Sequence, residues 1–573
     1  MQILNKNLKK TERKIIIATL LSIFLISILS TPILQGNAQP QTGGTIIWAY
    51  GTEPVHLNPA SRYIEAALRM SCNVFGKLVQ LNHANGDTII GDLAESWEIS
   101  DDATVYTFHL RENVRWHDGE PFTSVDVKWT FEEIVEKRGF QYAMYELIET
   151  IDTPDDHTVI CTLKEPNGGW LYMIGSWYGP AILPAHLYDV DVDWDENEWN
   201  RKPIGTGPFK FEEWVEGSHM KFVRNDDYYL EGPYLDAIIV KFVMDSTVAL
   251  AELEAGTADY MEFGFFEEVE RIQQNPDLYF GLPKLTPLWI GFNLNETRNG
   301  VPNPLSDVRV RKAVAHAINR SDISMRVYKG ISPPANGTFL SFYPWCYNED
   351  AKQPEYDVAK ANELLDEAGY PRGTDGIRFQ SEFILSGSGP SEVIKEHLKD
   401  VGIDLVIQVV EWGTLVEAAN VNHDFDMCFF GGMHGPDPEE WRKFIGTGGF
   451  RNAPNYSNPR VDELLDLGLR TVGKENRAVY YYEIQEILAE DLPCLNLVEH
   501  SYPFLVNSEF KDFFWEPKFQ DTVGMMNWRT VYWEGAQTEP EPEPTGFPME
   551  YLAAAAVVVV VVVVVIVYLR KKS

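Results

Sequence analysis

Cysteine is scarce in this 573-residue chain. The five residues Cys72, Cys161, Cys346, Cys428 and Cys494 are widely scattered, and no C-x-x-C spacing occurs. That pattern gives no support to zinc knuckles or thioredoxin-type redox chemistry, and an odd count leaves at least one thiol outside any internal disulfide. Enzyme signatures are missing as well. There is no H-E-x-x-H, no G-x-S-x-G and no Walker loop. Basic residues are few, 48 Lys and Arg against 85 Asp and Glu, for a formal net charge of −37. Eight of the basic residues and one acid lie in the two termini, so residues 39–569 hold 40 bases against 84 acids, a net of −44. So acidic a body repels nucleic-acid phosphates and anionic lipid headgroups, and nucleic acid is not an expected partner. With that many carboxylates no pair stands out as the acid and base of a glycosidase, so the chain is read as non-catalytic and without a cofactor.

The two ends are the most biased stretches present. Lys6, Lys9, Lys10, Arg13 and Lys14 precede the apolar or small-residue run Ile15 to Leu29, and Gly36-Asn37-Ala38 follows as a small-residue cleavage site. Residues 1–38 read as an export signal. With no cysteine near that site, a bacterial-type lipid anchor is not expected. At the other end Leu552 to Leu569 is apolar throughout, nine consecutive valines included. At about 1.5 Å per residue it reaches roughly 27 Å, enough to cross a bilayer core. Arg570, Lys571 and Lys572 assign residues 570–573 to the cytoplasm. Between body and span, residues 534–550 contain Glu539-Pro540-Glu541-Pro542-Glu543-Pro544, an acidic, extended spacer. The expectation is an exported protein on the cell membrane with one span and its large domain outside. Sequons at Asn295, Asn319, Asn336 and Asn455 are compatible with surface glycosylation there.

Within the body, the stretch Gly91 to Val127 has the clearest local logic. Val105 to Leu110 alternates, with Tyr106, Phe108 and Leu110 on one face, which predicts a half-buried strand. Ser100-Asp101-Asp102 supplies a turn to a partner at Trp97–Ile99. Thr123 and Asp126 read as a capping box that opens a helix with Val127, Phe131, Ile134 and Val135 inward. From Phe292 the pattern becomes regular α/β. Helices are expected at Asp307–Asn319, Asp357–Ala368 and Val393–Val401, a strand at Arg378–Leu385, and a fully buried strand at Leu405–Val410. Strand, helix and strand within about 30 residues imply a parallel pair with a right-handed crossover. Pro203-Ile204-Gly205-Thr206-Gly207-Pro208-Phe209 is Gly-rich but lacks the Lys-Ser/Thr pair of a phosphate loop, and is read as a turn.

The run from Gly91 to Val127 closely resembles the signature region of family 5 of the solute-binding proteins of ABC importers, the oligopeptide, dipeptide and nickel type. The turn at Pro203–Phe209, Arg224-Asn225-Asp226-Asp227-Tyr228-Tyr229, Asp307–Ala313 and Leu364–Tyr370 extend the resemblance, which covers about Gly43 to Trp533. It implies an α/β, bilobal periplasmic-binding-protein fold of the large class II type, with an extra β-rich subdomain in lobe one and two hinge crossings. Lobe one would comprise 43–284 plus 500–533, with the subdomain at 76–200, and lobe two 285–499. The crossings would fall near Lys284–Pro287 and Val498–Tyr502. The signature stretch itself would lie away from the cleft. A signal, an outer domain and a terminal span are typical of the archaeal, C-terminally anchored members.

The same resemblance implies capture of an oligopeptide between closing lobes and delivery to ABC permease subunits. An oligosaccharide stacked on some of the 16 tryptophans is the alternative, with a metal chelate at His434 and His423, or a secreted hydrolase, further behind. The first strand's end would bring Glu53 beside the ligand. Trp412 follows a buried strand, where an α/β lobe opens its crevice, and Trp177, Tyr178 and Trp441 are further aromatic candidates. The loop with Gly432, Met433, His434 and Asp437 would offer backbone groups to an extended ligand. Peptide-binding members carry an acid early in that loop for the peptide's α-ammonium group. This chain has Met433 and His434 there, which leaves Asp437 as the nearest carboxylate.

Overall fold

The chain enters its first sheet with strand β1 (Thr45–Tyr50), whose Ile46 and Trp48 are fully buried. A short antiparallel hairpin, β2 (Val79–Leu81) and β3 (Ile89–Gly91), leads into the signature stretch. There β4 (Ala94–Ile99) and β5 (Val105–Leu110) pair antiparallel as expected. With β6 (Ile148–Asp155) and β7 (Thr158–Leu163) they form a four-stranded sheet in the order β4-β5-β7-β6. The period-two reading holds: Tyr106, Phe108, Leu110, Val159, Cys161 and Leu163 are all buried, and their neighbours in sequence are half-buried. Burying each large apolar side chain contributes about 1.5–3 kcal/mol, which is what fixes the register of so small a sheet. The helix Ser124–Glu136 starts at the Thr123–Asp126 capping box and packs Val127, Phe131 and Ile134 into the same core.

Strands β8 (Phe209–Val215), β9 (His219–Arg224), β10 (Ala237–Phe242), β11 (Tyr260–Glu262) and β12 (Leu278–Gly281) return to the first sheet. The turn before β8 is glycine-rich for packing. A Cβ on Gly205 would stand 1.9 Å from the Val74 carbonyl oxygen, and one on Gly207 2.6 Å from that of Asn73. Its amides are already committed, Gly207 N–H to the Val74 carbonyl and Gly205 N–H to His117 Nδ1. No phosphate cradle remains.

Lobe two is built on β13 (Thr286–Phe292), β16 (Phe379–Leu385), β17 (Ile403–Val409), β18 (Met427–Gly431) and β19 (Cys494–His500), after the two-residue strands β14 (Thr297–Arg298) and β15 (Val301–Pro302). Their order is β17-β16-β18-β13-β19. β16 and β17 run parallel through the helix Ser391–Asp400, as the βαβ spacing predicts. Both faces are covered. Leu288, Ile290 and Phe292 pack with Val310, Val314, Ala361 and Leu365 from the helices Val308–Ala317 and Val358–Glu367. Trp289, Cys428 and Phe430 face Leu464, Leu465, Tyr481 and Ile484 from Pro459–Arg470 and Lys474–Asp491. One expectation is corrected. β17 is not a fully buried strand: among the described residues it is the sheet's edge strand, and Val406 and Val409 are exposed. β20 (Phe504–Asn507) then re-enters the first sheet, whose order is β12-β20-β11-β1-β10-β9-β8.

These statements rest on a computed structural model that describes residues 40, 42–82, 88–176, 179, 181–188, 192, 194–262, 268–282, 286–338, 344–387, 389–431, 437–500, 503–512 and 528–535. The expected export signal, the Glu-Pro run, the apolar stretch Leu552–Leu569 and the basic tail lie outside the described residues. So do Trp177, Tyr178, Gly432, Met433 and His434. Among the described residues no helix is long and apolar enough to cross a membrane.

No disulfide joins the five cysteines, and four of them are buried. Burial pushes the Cys72 thiol up to about 12 and raises Cys161, Cys428 and Cys494 further, so thiolate is scarce at neutral pH. Titration of the native chain with a thiol-specific disulfide reagent is therefore expected to give no fast-reacting group. The same titration in denaturant should give five.

Candidate ligand-binding site

Sheet register gathers particular strand ends at one edge of each lobe. In the first sheet, parallel β1 and β10 end together at Tyr50 and Phe242, while Glu262, Gly281 and the start of β20 at Phe504 are aligned. In the second, Leu385 pairs with Val409, Leu288 with Gly431, and Thr286 with His500. The chain passes between these two edges twice, from Gly281 to Thr286 and from His500 to Phe504. At about 3.8 Å per residue step, the shorter passage holds the edges within roughly 15 Å of each other where it crosses. A gap flanked by the carboxyl ends of parallel strands is where α/β folds take ligands.

On lobe one Glu53 follows β1. Its carboxylate accepts from Trp214 Nε1 at 2.7 Å and from the Gly217 amide at 3.0 Å, which ties it to the β8–β9 hairpin. The guanidinium of Arg201 stacks on the same Trp214 ring, 4.1 Å from its centroid. Beside Tyr50, the buried Arg69 of the helix Glu65–Ser71 donates to both Glu65 and Glu262, and its guanidinium lies 5.9 Å from the Tyr50 ring. Burial raises the Glu262 carboxyl while Arg69 pulls it the other way. The sequence offers no signal for this cluster, because Arg69 and Glu262 are 193 positions apart and lie in no motif.

On lobe two Trp412 opens the helix Trp412–Val416, which continues into a π-helical turn at Glu417–Val421. Such turns recur at functional sites. Trp412 is 56% exposed, and its ring meets Phe430 edge-on at 5.8 Å; Phe430 in turn lies on Trp289 at 5.4 Å. The indole is thus braced by Phe430 and leaves a large apolar surface uncovered just after the end of β17. At the second crossing His500 is buried against Tyr328 and its Nδ1 meets Ser332 Oγ at 3.1 Å. Burial lowers it to about 4, so it stays neutral near pH 7.

Two candidates named from sequence have other duties. Asp437 is 1% exposed, and both its oxygens accept from Arg477, Nη1 to Oδ2 and Nη2 to Oδ1, each at 2.6 Å. It also caps the short turn Pro438–Trp441 by accepting from the Glu439 amide. A carboxylate so engaged is not placed to receive an ammonium group, and the amine-partner reading of Asp437 is corrected accordingly. Trp441 is fully buried in the lobe-two core against Phe444 and is not a wall of the gap. His423 directs Nδ1 to the Ala453 carbonyl at 3.0 Å.

Two α/β lobes, linked by two crossings at the edges where their parallel strands end, define a bilobal binding protein. Residues 88–449 match the model for the bacterial extracellular solute-binding proteins, family 5 (middle region), and the chain belongs to that family. It is 28% identical over 526 residues to the oligopeptide-binding protein AppA of Bacillus subtilis, covering 86% of this chain and 93% of AppA. The structure of AppA in complex with a nonapeptide superposes with a TM-score of 0.67 at 27% identity, covering 86% of this chain and all of AppA's. DppA of Helicobacter pylori, solved with the peptide STSA, gives 0.68 at 26% identity, covering 86% and 99%. NikZ of Campylobacter jejuni, solved with Ni(L-His), gives 0.67 at 25%, covering 84% and 97%.

Two predictions come from the Asp437 cluster. Asp437→Asn strands the buried Arg477 charge and should lower unfolding free energy by about 3–5 kcal/mol in a denaturant titration. Glu439, which accepts from Arg442 Nε, is raised by burial to about 7 while Arg442 and Arg477 oppose the rise. A carboxyl raised from its usual 4.5 holds its proton longer when folded, so its contribution is full below pH 4.5 and is lost as pH rises to about 7. Between pH 5 and pH 8 the wild type should lose about 3 kcal/mol more than Glu439→Gln. Equal losses in the two proteins would rule this out.

Proposed function

We propose that this chain is the binding component of an ABC-type importer, taking an oligopeptide between its two lobes and handing it to the permease. The observation that carries the reading is correspondence over 86% of the chain with relatives named as peptide-binding, on a frame whose strand ends open on one gap. Binding works by population shift: a ligand that touches both edges stabilises the closed arrangement only by the amount it prefers it over the open one. Trp412 supplies lobe two's apolar contact, Glu53 stands at the lobe-one side, and the loop holding Gly432, Met433 and His434 offers the backbone groups. The ligand's ammonium group is met elsewhere than at Asp437.

The chain is read as non-catalytic, in keeping with relatives that are named as binding proteins. Energy for transport comes from separate ATPase subunits. Export through residues 1–38 and anchoring by Leu552–Leu569, with the spacer between, are supported by sequence composition. The anchor would hold the binding domain outside, close to the permease.

Thermal-shift assays on the purified chain test the ligand class. A tryptic casein digest is expected to raise the melting temperature, while maltodextrins and nickel–histidine leave it unchanged. A shift with maltodextrin or nickel–histidine alone would sink the peptide reading. With a peptide isolated from the digest, Trp412→Ala should weaken affinity about tenfold, roughly 1.4 kcal/mol, by isothermal titration.

A further inference from the structure

The two lobes touch at a second place, and the contact is made by glycine. Gly168 and Gly169 lie between β7 and the helix Trp170–Gly175, on the β-rich subdomain. The Gly168 amide donates to the Leu469 carbonyl of lobe two at 2.6 Å. Leu469 is in the last turn of the helix Pro459–Arg470, where carbonyls have no partner within the helix, so lobe one supplies one. A Cβ on Gly168 would stand 2.1 Å from the Thr471 carbonyl oxygen, and one on Gly169 2.8 Å from Asp437 Oδ1. For each glycine the three nearest atoms to that Cβ all belong to lobe two. Neither glycine has a left-handed φ, and Gly169 sits at φ −95°, ψ −11°, which any residue adopts. The local backbone of lobe one does not call for glycine here; the opposite lobe does.

Both sides of the contact are braced. On lobe one Tyr106 donates to the Asn167 carbonyl at 2.5 Å and Asn167 Oδ1 accepts from the Gly169 amide at 3.1 Å. On lobe two Arg477 Nε donates to the Gly468 carbonyl at 2.8 Å while its Nη atoms hold Asp437. Beside the glycines Lys474 Nζ lies 4.7 Å from the centre of the Tyr172 ring, a cation–π pair across the lobes. We propose that Gly168 and Gly169, docked on Leu469, Thr471 and Asp437 and flanked by Tyr172–Lys474, form a latch that holds the lobes closed on a captured ligand. They are positioning residues and set how long the closed state lasts. The latch rests on the two-lobe reading above but not on which ligand is bound.

Hydrogen exchange followed by mass spectrometry on the full chain in detergent micelles tests it, without additive and with the tryptic casein digest. In at least one condition, peptides covering 165–172 and 466–475 should exchange at least tenfold faster in Gly168→Ala than in wild type, with β5 and β16 unchanged. Lys474→Ala should speed the same two segments about threefold. Segment 466–475 exchanging at the wild-type rate in Gly168→Ala under both conditions overturns the latch. If Gly168→Ala speeds exchange throughout the chain, Lys474→Ala decides: faster exchange in both segments upholds the latch, and no change overturns it. The additive-free arm reads the latch even if the digest fails to bind, so failure of the peptide reading is seen separately.

Discussion

Everything in this fold that bears on ligand capture follows from a connectivity constraint. Neighbouring ends at the edge of one sheet, Gly281 and Phe504, are tied by two short passages to neighbouring ends of the other, Thr286 and His500. Two strands leaving one sheet side by side and entering the next side by side can bend about the line between them but cannot shear far. That line fixes which strand ends face the gap, and parallel β1, β10 and β11 on one side and β16, β17 and β18 on the other present their carboxyl ends to it. Hinge closure becomes the cheap motion, because it leaves both cores intact.

Within lobe two the Asp437–Arg477 pair does for the far side what the crossings do at the hinge. Two charges, each 1% exposed, are tolerated in a core only when every strong donor and acceptor is used. Arg477 spends its donors on Asp437, Gly468 and Tyr481, and so clamps the end of β18's loop to two helices. The peptide-binding pattern places a ligand-reading acid early in this loop. Here the nearest acid has been drawn inward to become part of the scaffold, which is a physical reason for the chain's departure from that pattern.

Much of the fold was legible in the residues because it rests on period and on caps. Tyr106, Phe108 and Leu110 are buried where alternation puts them, the Thr123–Asp126 capping box opens its helix, and β16 and β17 run parallel. The exposed half of β17 was not legible: Val406 and Val409 read as core in a one-dimensional pattern, and only the sheet order shows β17 at the edge of its sheet among the described residues. The site was less legible for the same reason. Trp412 was named because it follows a strand, and the structure shows it exposed there; its contact with ligand is a proposal. Asp437 and Trp441 could not be separated from true wall residues, since what decides their role is Arg477 and Phe444, 40 and 3 positions away. Gly168 and Gly169 carry no motif; their meaning lies in atoms three hundred positions on.

The signature stretch takes on a second role in this light. Tyr106 sits near the start of β5, fully buried, edge-on to Trp170 at 4.8 Å, and its hydroxyl reaches the carbonyl of Asn167, whose side chain holds the Gly169 amide. A Phe at this position would fill the same core but leave that carbonyl only the longer bond from the Trp170 amide, loosening the loop that meets lobe two. The residues that identify the family are thus not simply remote packing. Through one hydroxyl, the subdomain core is joined to the surface on which the lobes meet, so in the latch proposed above the order of a small β-sheet would bear on how long the lobes stay closed.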